Sequence, residues 1–120
     1  MRHWPTDSTM KRGEIFFATL DPTVGNEIRK RRPVVIVSND ANNRAAGVVT
    51  VVPLTSNIVR IHPFEVLLPA TATGLPKDSK AVAQQIRTLS KQRLTARRVG
   101  VLAHSLLADL DAALRLHLDL

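Results

Sequence analysis

Two uncharged runs rich in β-branched residues constrain the fold of this chain more than any other feature. Residues 33–38 and 47–53 carry no charge and are dominated by β-branched side chains. Such runs are typical of central strands that are buried on both faces. A proline is tolerated at the first position of a strand, which fits Pro33. The sequence therefore predicts a sheet built around two central strands.

A cation and a hydroxyl stand at the edges of these two runs. Arg32 directly precedes the first run, and Thr55 follows the second. The planar guanidinium of an arginine can hold two phosphoryl oxygens at once, and the residue before a proline has a restricted backbone. We therefore predict that Arg32 and Thr55 are presented by rigid strands as a phosphate-binding pair.

The rest of the chain alternates strand-like segments with turns. Further strands are predicted at residues 14–20, 64–68, 79–84 and 94–99, a loop at 71–78, a turn or single helical turn at 38–44, and a short helical connector at 90–93. In the strand at 64–68 the apolar residues alternate with Glu65 and Leu67, which predicts a half-exposed strand.

The last segment has the period of a helix instead. Ser105 is a candidate N-cap, and leucines follow at spacings of three and four, at Leu107, Leu110, Leu114 and Leu118. This stripe is expected to pack on the sheet. The order of elements predicts an α+β domain, with a small, strongly curved antiparallel sheet or barrel of about five to seven strands and a C-terminal helix.

Length and composition fit one folded domain. The chain has 120 residues, of which residues 1–9 are interpreted as a flexible leader and 10–120 as the domain. It contains no cysteine, which fits a reducing cytoplasm, and no apolar run approaches the roughly 18 residues of a membrane span. We therefore expect a cytoplasmic protein without a membrane partner.

The net charge of +7 is unevenly distributed. Sixteen of the seventeen Lys and Arg residues and seven of the ten Asp and Glu residues lie in residues 1–100, so this part carries +9 and residues 101–120 carry −2. A basic body attracts polyanions through counterion release. On charge alone, nucleic acid is the first expected partner, an acidic protein segment the second and a membrane surface the third. A merely solvated surface is the alternative.

Five motifs in register carry a resemblance to a known family. They are residues 11–15, 21–27, 32–40, 51–56 and 85–94. In this order they resemble the MazF/PemK toxins of bacterial toxin–antitoxin pairs, over roughly residues 10–120. Each motif alone is weak, and their common order makes the resemblance specific.

The resemblance implies both a fold and an activity. The family fold is a five-stranded, SH3-like barrel with helices, and the family works as a homodimer. Its activity is sequence-specific cleavage of single-stranded RNA without metal or cofactor. The implied partners are single-stranded RNA and a neutralising MazE-type antitoxin with an acidic tail.

The resemblance also implies roles for individual residues. Arg32 and Thr55 occupy the catalytic positions, with Ser56 helping to orient the scissile phosphate. Cleavage would leave a 2′,3′-cyclic phosphate and a 5′-hydroxyl. An arginine is a poor proton donor, so we expect Arg32 to stabilise charge. The expected substrate-binding residues are Asn26, Glu27, Arg29, Ser56, Gln84, Gln85 and Arg87.

The chain departs from some family members at two positions. Gln84 and Asn26 stand where some PemK-type members have an acidic residue and a histidine. The chain therefore resembles the Arg-and-Thr subtype, and an acid/base pair does not carry over. Glu27 is the nearest acidic candidate and is better suited to hydrogen-bond a base edge than to abstract a proton.

Other interpretations of these residues stay open at this point. Arg32 is also compatible with an exposed cation in a basic run, and Thr55 with a hydroxyl that caps a turn. A gyrase-binding toxin of the CcdB type shares the fold, but its C-terminal Trp-Gly-Ile is absent here. A non-catalytic RNA-binding module is the third possibility. The four histidines lack metal-ligand spacing, so no metal site is expected.

Overall fold

A computed structural model describes residues 10–120, so the predicted leader at 1–9 lies outside the described residues. Seven strands form the sheet: β1 (Glu14–Thr19), β2 (Arg31–Ile36), β3 (Val48–Thr55), β4 (Glu65–Leu68), β5 (Ser79–Val82), β6 (Arg87–Ser90) and β7 (Gly100–Val101). Three α-helices accompany it: α1 (Asp40–Ala45), α2 (Ala70–Thr73) and α3 (His104–Leu118). Two 3-10 turns lie at Ala83–Gln85 and Lys91–Arg93.

The sheet is antiparallel and curls around β3. The strand order is β4-β5-β3-β2-β1-β7, and β6 also pairs with β3. β3 is long enough to hold two strands end to end along one edge: β6 pairs with Val48–Val51, and β5 pairs with Leu54 and Thr55. The other edge of β3 pairs with β2. The predicted α+β domain with a strongly curved antiparallel sheet and a C-terminal helix is confirmed.

Both faces of the two central strands are buried, as the apolar runs predicted. Val35 and Val52 belong to one core cluster, which also contains residues of α3. Val34 and Val51 belong to a second cluster on the opposite face, together with residues of β1 and β6. All four side chains are fully buried. Apolar residues are therefore required on both faces here, because a polar residue on either face would be buried without a partner.

α3 packs on the first core cluster through part of its leucine stripe. Leu110 and Leu114 are buried, whereas Leu118, in the last turn, is 46% exposed. The predicted stripe is therefore too long. The predicted N-cap is also wrong, because the helix begins at His104 after Ala103 and has no side-chain cap. α3 is instead tied to the body by an ion pair between Arg12 and Asp111.

Several short elements differ from the prediction. The segment predicted as a loop at 71–78 contains α2, and the strand predicted at 79–84 ends at Val82 and continues as a 3-10 turn. β6 was not predicted. The strand predicted at 94–99 forms a single bridge, Ala18↔Leu94, and the seventh strand begins only at Gly100. Alternation of polar and apolar residues is a weak signal in strands of two to four residues.

Two glycines allow the backbones at the end of α2 and the start of β7 to approach each other closely. A Cβ atom at Gly100 would lie 2.2 Å from the carbonyl oxygen of Thr73, and one at Gly74 would lie 2.6 Å from that of Val99. Gly74 also has a φ of 80° at the end of α2. Only glycine permits both this conformation and this backbone approach.

The helices of residues 10–120 are too short or too polar to cross a membrane.

Candidate functional site

Arg32 and Thr55 lie at the same end of two neighbouring strands. Arg32 is the second residue of β2, and Thr55 is the last residue of β3. The pairs Ile36↔Val51, Val35↔Val52 and Val34↔Pro53 define the register. The recorded pairs end at Val34↔Pro53, so Arg32 and Thr55 each lie two residues beyond the last pair, at the same end of the two strands. Both residues are half-buried, so neither is sealed from solvent.

The Arg32 guanidinium is only lightly engaged. Its Nε atom donates a hydrogen bond of 3.2 Å to the carbonyl oxygen of Arg29. Within residues 10–120 it forms no ion pair, and three other cations, Arg12, Lys80 and Arg98, do. The terminal nitrogens of Arg32 therefore remain available for an anion. The neighbouring Arg31 differs, because its guanidinium lies 4.4 Å from the centre of the Phe17 ring.

The Thr55 hydroxyl has a local partner. Its Oγ1 atom accepts a hydrogen bond of 3.2 Å from the backbone N–H of Asn57. This is the turn-capping contact that the structural interpretation of Thr55 predicts. The hydroxyl proton is not used by this contact, so the same side chain can still donate to a phosphate oxygen.

A small opening lies beside this strand end, and we call it the Arg32 pocket. Its volume is about 160 Å³. Its lining is largely apolar, with Phe17, Pro33, Leu54, Leu75 and Pro76, and its polar members are Arg32, Ser56, Lys77 and Ser79. Arg32 and Ser56, which were predicted to share the scissile phosphate, thus line one pocket. Thr55 is not part of this lining.

A second, larger opening, which we call the loop cleft, has a volume of about 480 Å³. It lies between the β1–β2 loop and the 3-10 turn that follows β5. Its lining residues are Val24, Asn26, Glu27, Gln84, Gln85, Ile86 and Arg87. Five of the seven predicted substrate-binding residues are therefore brought together in one cleft. The other two, Arg29 and Ser56, are not part of this lining.

Gln85 and Arg87 hold the β1–β2 loop against the sheet. Gln85 accepts a hydrogen bond of 2.6 Å from the Ile28 N–H and donates one of 3.1 Å to the Asn26 carbonyl. Arg87 donates to the Leu20 carbonyl over 3.2 Å. Both ends of the Gln85 amide are thus engaged with the main chain. This residue fixes the wall of the loop cleft, whatever else it contacts.

The exposed loop residues form local contacts. Glu27 accepts a hydrogen bond of 2.8 Å from the Val24 N–H, which closes a turn. Asn26 is exposed, and so is Arg29, whose carbonyl receives the bond from Arg32. The carboxylate of Glu27 is therefore partly occupied in stabilising the loop.

A buried polar network behind the loop cleft was not predicted from the sequence. Glu65 was expected on an exposed face, but only 8% of it is exposed. Its Oε1 atom accepts from Lys80 over 2.9 Å and from the His62 N–H over 2.9 Å. Its Oε2 atom accepts from Gln84 Nε2 over 2.7 Å. One sequence feature could have indicated this network. Lys80 is a cation within the otherwise uncharged strand segment 79–83, and a cation in such a segment calls for an acidic partner.

The network keeps Glu65 ionised. Burial raises the pKa of this carboxyl, but hydrogen bonds from the His62 N–H, Lys80 and Gln84, together with the charge of Lys80, outweigh burial and lower the pKa below its ordinary value of 4.5. Lys80 also donates to the Arg60 carbonyl over 2.7 Å. Because Lys80 pairs with Thr55 in the sheet, this network lies next to the strand end that carries Thr55.

The histidines of the described residues do not form a metal site. His62 stacks on Phe64 with ring centres 5.3 Å apart, and His117 lies 6.5 Å from the same ring. No three His, Asp or Glu side chains within residues 10–120 come together as metal ligands.

The comparison with known proteins decides the family. A model of the PemK-like, MazF-like toxins of type II toxin–antitoxin systems matches residues 11–118. The chain belongs to this toxin family. The toxin is 53% identical over 116 residues to the endoribonuclease MazF9 of Mycobacterium tuberculosis, a match that covers 92% of the toxin and 98% of that relative.

Solved structures agree with this assignment. MazF from Deinococcus radiodurans superposes on the toxin with a TM-score of 0.81 and 26% identity, covering 93% of the toxin and 98% of that chain. A mycobacterial endoribonuclease in complex with its cognate antitoxin gives a TM-score of 0.76 and 27% identity, with coverage of 92% and 96%. These relatives favour the ribonuclease interpretation of the toxin over the gyrase-binding alternative.

Proposed function

We propose that this chain, as an endoribonuclease toxin of its family, cleaves single-stranded RNA at specific sequences without a metal ion. One observation carries the assignment of the site. Arg32, a half-exposed cation without a carboxylate partner among residues 10–120, lies at the same end of the paired strands β2 and β3 as Thr55. A guanidinium and a hydroxyl in this arrangement can bind the same phosphate.

In the proposed reaction the 2′-hydroxyl of the RNA loses its proton to solvent as its oxygen attacks the adjacent phosphorus. The bond from phosphorus to the 5′-oxygen breaks, and the leaving oxygen takes up a proton from solvent. The products are a 2′,3′-cyclic phosphate and a 5′-hydroxyl. Negative charge accumulates on the phosphoryl oxygens in the transition state, where Arg32 stabilises it. Thr55 donates a hydrogen bond to the same group and, with Ser56, aligns it for in-line attack.

RNA binding is assigned to the surfaces on either side of this pair. The β1–β2 loop contributes Arg29 and Lys30, and the first residue of β2 contributes Arg31. All three are exposed and attract the backbone phosphates. The loop cleft supplies amides and a carboxylate that can contact base edges, from Asn26, Glu27, Gln84 and Gln85. Arg87 contributes a further cation to the same cleft.

The assembly expected of a family member completes the proposal. The toxin acts in the cytoplasm as a homodimer, and a MazE-type antitoxin neutralises it with an acidic segment. Residues 1–100 carry a net charge of +9, so their surface is electrostatically complementary to such a segment. A solved mycobacterial relative is itself in complex with its cognate antitoxin.

The decisive experiment uses two RNA oligonucleotides of the same sequence. One carries the cut site found by sequencing the 5′ ends of a digested transcript. The other has a single 2′-deoxy substitution at the nucleotide whose 2′-oxygen attacks. We expect the toxin to cut the first in the presence of EDTA and to spare the second. A toxin that binds both and cuts neither would be an RNA-binding module, and one that cuts both would use a different nucleophile.

A further inference from the structure

One buried polar atom of Gln84, a residue that lines the loop cleft, has no partner within residues 10–120, and the hydrogen bonds of Glu65 identify this atom as an oxygen. The Oε1 atom of Gln84 is buried and has no hydrogen-bond partner within residues 10–120. Gln84 lines the loop cleft. A buried acceptor without a partner is costly and uncommon in folded proteins. This atom therefore calls for an explanation beyond packing.

The orientation of the Gln84 amide follows from Glu65. An ionised carboxylate can only accept hydrogen bonds, so the group of Gln84 that lies 2.7 Å from Glu65 Oε2 must be its NH₂. Lys80 and the His62 N–H hold the other carboxylate oxygen. The remaining end of the Gln84 amide is then an oxygen. The network thus fixes an acceptor, and not a donor, on this wall of the cleft.

We propose that the Gln84 Oε1 atom, oriented by Glu65 and Lys80, accepts a hydrogen bond from the exocyclic amino group of one RNA base in the loop cleft. This inference rests on the proposed ribonuclease function and adds a specificity-determining contact to it. Adenine, cytosine and guanine each carry such an amino group. Uracil has a carbonyl oxygen where cytosine has its amino group, and this oxygen would repel the Gln84 oxygen, so the only base-edge N–H that uracil offers is the ring N3–H.

Because Gln84 Oε1 is shielded from water, a hydrogen bond to it favours a base that carries an N–H donor. Most acceptors exchange a bond to water for a bond to the ligand, so their net gain is small. Water does not reach Gln84 Oε1, so an N–H donor relieves an existing cost. For a base to reach this oxygen, the side chains that cover it must move. The exposed residues Asn26 and Glu27 line the same cleft.

Gln85 makes a useful contrast within the same cleft. Both ends of its amide are bonded to the main chain, at Ile28 and Asn26. A base could use this side chain only by breaking those bonds. Of the two neighbouring glutamines, Gln84 is therefore the one with an acceptor to offer.

The test measures how strongly cleavage depends on one amino group. Oligonucleotides containing the cut site are prepared with purine riboside for adenosine, inosine for guanosine, or 2-pyrimidinone riboside for cytidine, one position at a time. With the wild-type toxin, we expect the loss of one amino group to slow cleavage by at least about tenfold. With Gln84→Met, which keeps the length of the side chain, the rate ratio at that position should fall close to one.

Two further variants complete the design. Gln92→Met changes an exposed glutamine outside both openings and should keep the wild-type ratio. Glu65→Gln replaces the carboxylate by an amide, which can donate or accept and no longer fixes the Gln84 orientation, so the ratio should decrease. Binding of uncleavable 2′-deoxy oligonucleotides gives the same ratios when a variant is slow. Thermal unfolding shows whether each variant is folded.

The outcomes separate this inference from the proposed function. If Gln84→Met and Glu65→Gln cut RNA with wild-type ratios at every position, the toxin is a ribonuclease and the Gln84 contact is wrong. If no position depends on an amino group in the wild-type toxin, the inference is also wrong. If the wild-type toxin cuts no RNA, the proposed function fails, and the inference fails with it.

Discussion

The Arg32 pocket and the loop cleft differ in size, in lining and in how far their polar groups are already engaged. The Arg32 pocket is the smaller, about 160 Å³ against about 480 Å³, and its wall is mostly apolar. Arg32 in this pocket donates to a single carbonyl and pairs with no carboxylate among residues 10–120. In the loop cleft, Gln85 and Arg87 are bonded to the main chain, and Gln84 is bonded to Glu65.

This difference indicates a division of labour. An arginine that stabilises transition-state charge must be free to contact the substrate, and an apolar surround strengthens its field. Groups that discriminate between bases must instead be held in fixed orientations. A freely rotating amide can present either its oxygen or its NH₂ group, and so cannot distinguish a donor from an acceptor on the base. We therefore expect the two openings to respond differently to substitution, the first in rate and the second in selectivity.

The largest effect is expected at the Arg32 pocket. Arg32→Ala removes the charge that stabilises the phosphoryl oxygens and should lower the cleavage rate by at least about 10²-fold. The set of cut sequences should not change, because the loop cleft is intact. The measurement is single-turnover cleavage of the mapped oligonucleotide. Arg97→Ala, a substitution of an exposed arginine outside both openings, serves as control. Full activity of Arg32→Ala would remove Arg32 from the mechanism.

The next largest effect is expected on RNA affinity, which should depend on salt through the basic segment 29–32. If Arg29, Lys30, Arg31 and Arg32 each neutralise one phosphate, a fourfold rise in salt should weaken binding roughly fiftyfold, at a slope of about 0.7 per phosphate. The measurement is a titration with an uncleavable 2′-deoxy oligonucleotide. Replacing Arg29 and Lys30 by glutamine should reduce the slope by about 1.4. If RNA affinity does not depend on salt, these cations do not bind RNA phosphates.

A smaller effect on the cleavage rate is expected at Thr55, the last residue of β3. Thr55→Val keeps the shape of the side chain and removes the hydroxyl, so cleavage should slow by about tenfold, the value of one hydrogen bond. Thr88→Val is the matched control, because Thr88 is an exposed strand residue whose hydroxyl contacts Thr50. If Thr55→Val is folded and cuts at the wild-type rate, the Asn57 contact is the whole role of this hydroxyl.

In the loop cleft, substitution should affect stability and selectivity more than rate. Gln85→Leu removes the hydrogen bonds to the main chain at Ile28 and Asn26 and should lower the free energy of unfolding by about 1–2 kcal/mol. The freed loop should also broaden the set of cut sequences. Denaturant unfolding and mapping of 5′ ends test the two effects. Gln92→Leu, at an exposed glutamine, should change neither.

The sequence predicted those parts of the molecule that depend on local pattern. The two valine runs became β2 and β3, and the residues at their ends, Arg32 and Thr55, lie at one end of neighbouring strands. The burial of Glu65 was predicted wrongly, because alternation in β4 assigns it to an exposed face. Its actual environment comes from Lys80 on β5 and from the turn at Ala83–Gln85, which brings Gln84 back over the sheet.

For the same reason, the sequence predicted which residues belong to the site but not the hydrogen bonds that orient their side chains. Motifs name Gln84 and Gln85 as neighbours with identical side chains. Only the tertiary contacts distinguish them, since one amide is bonded to the β1–β2 loop and the other to a buried carboxylate. Such contacts join residues about twenty to sixty positions apart, and no local period carries that information.

The smallest effect is expected from acid, and it tests whether the network supports the loop cleft. The pKa of Glu65 in the folded toxin is below its ordinary value of 4.5, so the unfolded chain takes up this proton first as pH falls. The stabilisation is therefore complete above pH 4.5 and is lost as pH falls toward and through the folded pKa. The difference in free energy of unfolding between wild type and Glu65→Gln should be constant above about pH 5.5 and decrease below pH 4.5. A difference that is independent of pH from 3 to 6 would mean that the Glu65 charge does not stabilise the wall that carries Gln84.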